Sequence, residues 1–377
     1  MQKNKLNLKA KTSELQTAWN FYRLGHFSDT ESICQEVLQA DPKQAEALHL
    51  LGTIALQYGK AKEAVEFLTL AIKYNNKNPE TLSNLGLAYH EQGLIAEAIK
   101  QYQRAIALVP QYINSHYNLH AAVLDPDNPA AAIACLKRVL SINPRDEDAR
   151  FMLAIQLSYS GHKEQAEAFF AAGPQASPHY RARLDAWHYL NQKNQVLPPI
   201  MGSGIQMFTH AMRLANQEGL VLEFGVRFGT SIRVLAKMVN EVHGFDSFEG
   251  LPDEWHHEPK GSYTTKGVVP EVPANVSLHI GWFDTTLPAF LEKHEGPVRF
   301  INVDCDIYSS TKTLLELLAP RLVVGSVLVF DEYIGNEHWR EDEYKAFQEA
   351  IAKYGWEYEY IAFSFYTKQV AVRITKV

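Results

Sequence analysis

The sequence predicts an α-helical solenoid joined to an open parallel α/β domain, α + α/β in class, and three observations predict it. Pro42, Pro110, Pro144 and Pro178 fall on one frame of 34 residues, with Asn76 in the remaining slot, and a fixed period of that length marks stacked helical hairpins. An apolar run, 220–224, leads through a turn with two glycines, Gly225 and Gly229, into a helical pattern over 231–239. That is the strand-turn-helix opening of a parallel sheet. Two later apolar runs, 298–303 and 322–330, end in acidic residues: Asp304 with Asp306, and Asp331 with Glu332. Like charges gather only where a cation or a shared proton offsets them.

Composition narrows the partners. The 377 residues are 46% apolar, enough for about one to three domains with real cores. Lys and Arg number 36 against 43 Asp and Glu, a net charge of -7, and no basic block occurs. This argues against nucleic acid or an anionic membrane surface and for a small molecule or a protein. Cys34, Cys135 and Cys305 form no C-x-x-C pair, so neither a disulfide framework nor a cysteine zinc site is expected, and the compartment reads as reducing. Residues 1–11 are polar and lysine-rich with no apolar core behind them, and no window approaches the roughly 20 apolar residues of a membrane span. The expectation is a soluble, cytoplasmic protein.

Within the 34-residue frame, Leu51-Gly52, Ala64, Leu68 and Ala71 recur as Leu85-Gly86, Ala98, Tyr102 and Ala105. Small residues let two antiparallel helices approach, and the proline marks the turn. The pattern resembles the tetratricopeptide repeat, best over 79–112, while Thr30, Cys34, His120 and Ala154 depart from it in the flanking units. Five units over 11–178 are expected. Residues 179–200 then read as a capping helix, with Tyr180, Leu184, Trp187 and Leu190 at helical spacing, and a stiff Pro198-Pro199 linker. The resemblance implies a superhelix that docks a protein or a second subunit, or that serves only as a scaffold.

In the second half, glycine at the turn permits close approach of a ligand, and the free N–H groups of the helix start attract a carboxylate or phosphate. Many such turns bind nothing. The next strand, 241–245, ends in Asp246, 21 residues after Gly225, the distance at which Rossmann-like folds place an acid on ribose hydroxyls. Glu223, Gly225, Gly229, Thr230, Ser231, Asp246 and Ser247 would then frame one nucleoside. The turn is Gly-x-x-x-Gly and not the three-glycine dinucleotide form, which favours S-adenosyl-L-methionine over NAD.

Four segments, 246–252 (DSFEGLP), 281–288 (GWFDTTLP), 304–311 (DCDIYSST) and 331–333 (DEY), occur in the order and spacing of one family. From 201 to 377 the chain resembles the macrocin O-methyltransferases. The resemblance implies a Rossmann-like class I methyltransferase domain, dependent on S-adenosyl-L-methionine and Mg²⁺ (or Mn²⁺), that methylates a hydroxyl of a sugar or other small metabolite. It further implies that Asp304, Asp331 and Glu332 hold the metal, that Asp306 is the general base, and that Trp282 and Asp304 border the cofactor. Cys305 stands where glycine is common and Glu332 where a second aspartate is common, so metal geometry changes while charge is kept.

The chemistry of these residues agrees. A hydroxyl is too weakly acidic to attack at neutral pH unless a cation stabilises the alkoxide, and an oxygen-only ligand set suits Mg²⁺ or Mn²⁺ and not zinc. Asp306, on the same side of an extended chain as Asp304, can accept the proton, or the metal alone suffices. Against this stand plainer readings, with Asp304 capping a helix that begins near Ser309 and Asp331-Glu332 in a solvated loop. His256-His257-Glu258 reads as a solvated loop, because adjacent residues on an extended chain diverge, and His279 reads as a structural or a surface residue. The long loop 253–270 suits a lid with Tyr263 as a contact, or has no role of its own. Trp282 either stacks on adenine or packs in the core. Trp339-Arg340 and the last strands, 356–365 and 369–374, would complete the sheet and wall the acceptor pocket. The alternative function is a repeat-docked protein methyltransferase or a non-catalytic interaction module.

Overall fold

The computed structural model describes residues 14–377 except 126, 172–175, 194–195 and 216. The amino-terminal lysine-rich stretch and the start of the first repeat lie outside the described residues. By contacts the chain divides into two units, 1–123 with 141–144, and 124–140 with 145–377.

The first unit is helical. It holds α1 (14–23), α2 (Phe27–Ala40), α3 (Ala45–Gln57), α4 (Ala61–Tyr74), α5 (Pro79–Glu91), α6 (Ile95–Leu108) and α7 (Ile113–Ala122). Local chemistry sets the starts: Asn78 Oδ1 accepts from the Glu80 and Thr81 N–H groups, 2.9 and 3.4 Å, with Pro79 as the first helical residue. Packing sets the pairing. A Cβ at Gly52 would lie 2.5 Å from Leu68 Cγ, and one at Gly86 2.5 Å from Tyr102 Cε1. The two glycines therefore let α3 seat on α4 and α5 on α6. His120, in the slot where glycine would sit, is buried, and its Nδ1 bonds back to the Tyr117 carbonyl.

The second unit begins with α8 (Ala130–Ile142), α9 (Glu147–Tyr159), α10 (Lys163–Phe170) and α11 (Pro178–Lys193). It continues through α12 (Gly204–Leu214) into a seven-stranded sheet of order β3-β2-β1-β4-β5-β7-β6. The strands are β1 (Leu220–Phe224), β2 (Val242–Asp246), β3 (Val276–Ile280), β4 (Val298–Val303), β5 (Val327–Phe330), β6 (Glu357–Phe363) and β7 (Val370–Lys376). The first five run parallel and β7 runs antiparallel between β5 and β6. The helices α13 (Thr230–Leu235), α14 (Phe283–Leu291), α15 (Tyr308–Leu318) and α16 (Glu343–Tyr354) connect them.

Strand order reverses between β1 and β4, the place where open α/β sheets bind ligands beyond their carboxyl ends. Val303 lies in register with Phe224 on one side and Phe330 on the other. The ends of β1, β4 and β5 are therefore level. Met207, Phe208, Ala211 and Met212 of α12 pack on Val221, Phe300, Val327 and Val329 of the sheet.

Helices α9 and α11 pack on β6 and the chain that follows it. Phe151 of α9 meets Phe365 edge-on at 4.8 Å, and the Arg183 guanidinium of α11 lies 4.4 Å over the Phe151 ring while donating to the Phe365 carbonyl, 3.4 Å. Arg183 is buried, and Asp148 supplies its counter-charge. Tyr189 and Tyr360 join hydroxyls at 2.9 Å.

One helix is shorter than its pattern. The apolar spacing predicts 231–239, but α13 stops at Leu235, where Lys237 and Met238 donate to Val234 and Leu235, three residues back, tightening the last turn.

Candidate functional site

The glycine turn is held by a close approach and by a carboxylate. Gly225 has φ +93°, and a Cβ there would stand 1.7 Å from the Asp304 carbonyl oxygen, so only glycine lets the tip of β1 lie against the tip of β4. Asp246 Oδ2 accepts from the Val226 and Arg227 N–H groups, 2.8 and 2.7 Å, and Oδ1 from Phe248 N–H, 2.7 Å. The acid expected on a ribose thus also locks the turn, a role invisible from spacing alone. Fully buried Glu223 accepts from Ser231 Oγ at 2.9 Å and from Asn302 Nδ2 at 3.3 Å. Burial pushes its carboxyl up to about 8, with Asp246 and Asp331 adding to the rise.

The remaining residues of the expected nucleoside site fall on the same edge. Gly229, at φ +73°, heads α13, followed by Thr230 and Ser231. Ser247 Oγ accepts from Glu249 N–H at 3.1 Å, and Trp282, 37% exposed, heads α14 just beyond β3. Gly281 N–H donates to the Asp246 carbonyl at 2.9 Å, which sets Trp282 one residue from the β2 end.

Carboxylates gather at the ends of β4 and β5. Asp304 N–H bonds the Phe224 carbonyl, 2.9 Å, and Asp331 N–H the Val303 carbonyl, 3.0 Å, so both residues extend the strand ladders. Both are half-buried. Withdrawal from water, then Asp331, Asp306 and Glu223, hold the Asp304 carboxyl well above the usual range. Withdrawal from water, then Glu332 and Asp306, push Asp331 up to about 7 against a 2.6 Å bond from Gln369 Nε2. Asp306 is likewise pushed up to about 7, by loss of water and Glu332, with Arg227 and Lys368 opposing.

Two features here differ from the sequence reading. The chain is not extended at Asp306: its φ is +61°, and Ile307 N–H turns back to the Cys305 carbonyl at 2.7 Å. Asp304 and Asp306 meet through this tight turn and not by strand alternation. Glu332, in turn, faces a cation of the chain itself: Lys368 Nζ lies 3.0 and 3.1 Å from its two oxygens, and Asn336 Nδ2 3.3 Å from one.

Glu343, the first residue of α16, is a fifth carboxylate that no motif signals. It is fully buried, its Oε2 accepts from Glu332 N–H at 3.1 Å, and its Oε1 has no hydrogen-bond partner among the described residues. Burial first, then Asp331 and Asp306, raise its carboxyl well above the usual range.

Residues 222–333 match the sequence model of a methyltransferase domain family. This is a methyltransferase domain. The helices before it are tetratricopeptide repeats, matched by three such family models over 15–79, 90–125 and 124–186. A relative from Streptomyces olivaceus, 8-demethyl-8-(2,3-dimethoxy-alpha-L-rhamnosyl)-tetracenomycin-C 4'-O-methyltransferase, is 33% identical over 145 residues, 30% of this chain and 53% of that protein. A UDP-N-acetylglucosamine--peptide N-acetylglucosaminyltransferase from Caenorhabditis elegans is 35% identical over 77 residues, 20% of this chain and 7% of that one. The chain thus spans at most about half the length of these curated relatives. Among solved structures, Pseudomonas aeruginosa pilF is 20% identical with a TM-score of 0.41, over 49% of this chain and 86% of that one.

Around the methyltransferase domain's crevice, the loop after β2 is tied down. Trp255 Nε1 donates to Asp342 Oδ2, 2.9 Å, and Ser309 Oγ to Asp253 Oδ2, 3.1 Å. The Arg227 guanidinium lies 5.0 Å over the Tyr263 ring. His256 is not a freely solvated loop residue, because its Nε2 lies 2.8 Å from Asp342 Oδ2. Trp339 and Arg340 bond Asp185 of α11, at 3.2 Å and at 3.0 Å for both guanidinium contacts, where the sequence reading had them walling an acceptor pocket. No helix among the described residues is long and apolar enough to cross a membrane.

Proposed function

We propose that the chain transfers a methyl group from S-adenosyl-L-methionine to a hydroxyl of a sugar or other small metabolite, with Mg²⁺ (or Mn²⁺) held by Asp304, Asp331 and Glu332. The observation that carries this reading is the set of carboxylates brought to the level ends of β4 and β5, where Asp304, Asp306 and Asp331 are raised first by burial and then by neighbouring carboxylates. Oxygen-only donors whose mutual repulsion opposes ionisation fit a hard divalent cation. Bound there, the cation would stabilise a developing alkoxide.

The chain's own groups supply the rest. Glu223, Gly225, Gly229, Thr230, Ser231, Ser247, Trp282 and Asp304 line the donor side. Asp246 Oδ1 accepts one bond among the described residues, from Phe248 N–H, and a carboxylate oxygen has a second lone pair that suits a ribose hydroxyl. Asp306, raised by burial and by Glu332, is the carboxylate we assign to accept the hydroxyl proton. The sugar acceptor is suggested by the activity for which the Streptomyces relative is named. The repeats, 11–178, dock a protein or a second copy, 179–200 joins them to the catalytic domain, 201–377, and the three unpaired cysteines suit the cytoplasm.

Calorimetric titration of the folded chain with S-adenosyl-L-methionine tests the reading. Binding is expected, together with Mg²⁺-dependent methylation of glycosides. A folded chain that takes up no S-adenosyl-L-methionine sinks it.

A further inference from the structure

Two histidines meet from segments far apart in the chain. His256 comes from the loop after β2 and His338 from the stretch after β5, and their rings stack with centroids 4.0 Å apart and planes 17° from parallel. Glu341 stands beside them, its Oε2 3.6 Å from His338 Nδ1. One ligand atom from each of the three lies within 4.8 Å of the other two.

A fourth residue organises the group. Asp342, with its side chain 10% exposed, accepts from Trp255 Nε1 and receives His256 Nε2 at 2.8 Å. A carboxylate on one ring nitrogen fixes the tautomer, so the proton sits on Nε2 and the lone pair on Nδ1. Metal centres orient a ligating histidine in this way. His338 and Glu341 are more open, 42% and 66% exposed at the side chain. His338 therefore has room to swing out of the stack and turn its own lone pair toward an ion shared with His256.

We propose that His256, His338 and Glu341 form a zinc-type transition-metal site, with Asp342 positioning His256, that fastens the loop after β2 to the segment after β5. Two imidazoles select a borderline ion over Mg²⁺, which prefers oxygen. Three protein ligands leave a fourth position for water. The site uses none of the carboxylates assigned to Mg²⁺ and does not rest on that assignment.

The test uses the full-length chain, treated with chelator and then titrated with Co²⁺ and Zn²⁺. One equivalent of Co²⁺ is expected to give the visible absorption of low-coordinate cobalt. Zn²⁺ displaces it, and Mg²⁺ in excess does not. His338→Ala and Glu341→Gln, at open positions where the fold has little at stake, weaken uptake by about tenfold or more, while Asp304→Asn leaves it unchanged. Zn²⁺ also slows proteolysis within 257–270. Absence of the cobalt spectrum, or uptake equal in wild type and His338→Ala, overturns the proposal.

Discussion

Replacing Gly225 by alanine adds one carbon 1.7 Å from the Asp304 carbonyl oxygen, at a backbone φ of +93°. Strain and overlap together are expected to cost about 3 kcal/mol or more, read as a marked fall in melting temperature. An unchanged melting temperature would show that β1 and β4 separate freely at their tips. Asp331→Asn has the opposite sign for stability. It keeps the bond from Gln369 and removes one member of a repelling cluster, so in chelator the variant should gain on the order of 1 kcal/mol, while its methyl transfer is lost. His90, buried in α5 with an unpartnered Nε2, is held by burial at about 4, below its usual 6.5. Its contribution is full above the unfolded value and is lost as pH falls toward 4, because the unfolded chain takes up the proton first. Urea unfolding should report a loss of about 2 kcal/mol between about pH 7 and about pH 5, absent in His90→Leu.

For the helical hairpins, two effects of Gly86→Ala compete. Alanine favours a helix by about 1 kcal/mol over glycine. The new Cβ, however, would lie 2.5 Å from the ring of Tyr102, which is fully buried, and overpacking of that kind costs about 1–3 kcal/mol. A net loss is expected in urea unfolding, reduced when Tyr102→Leu is added. These hairpins were legible in the sequence because their signals, Pro79 at a helix start and glycine opposite Tyr102, are local and periodic. The strands at Leu220–Phe224 and Val298–Val303 were legible as apolar runs for the same reason. Tertiary placement was not. Glu343 reaches the carboxylates from the start of α16, and Lys368 and Gln369 reach them from the β6–β7 hairpin, positions that no short motif connects. The left-handed turn at Asp306 was missed because a single aspartate at positive φ leaves no trace in a pattern of apolar residues.

At the scale of the whole molecule, the helices α9 and α11 pack on the hairpin between β6 and β7 through Phe151, Arg183 and Phe365. A fragment 124–377 is therefore expected to fold. A fragment 201–377, stripped of those helices, exposes Tyr360 and Phe365 and should bind a hydrophobic dye and melt earlier. Equal melting of the two fragments would show that this packing adds nothing. The hairpin between β6 and β7 has one further property. Its Lys368 and Gln369 hold Glu332 and Asp331, and its Phe365 lies under Arg183. It is thus a short rocker arm with the carboxylates at one end and the last repeat at the other. If an ion takes the place of Lys368 on Glu332, the arm is expected to tilt, and amide exchange in α9 would become a distant gauge of what occupies the crevice; exchange there unchanged by Mg²⁺ would show that the arm does not move.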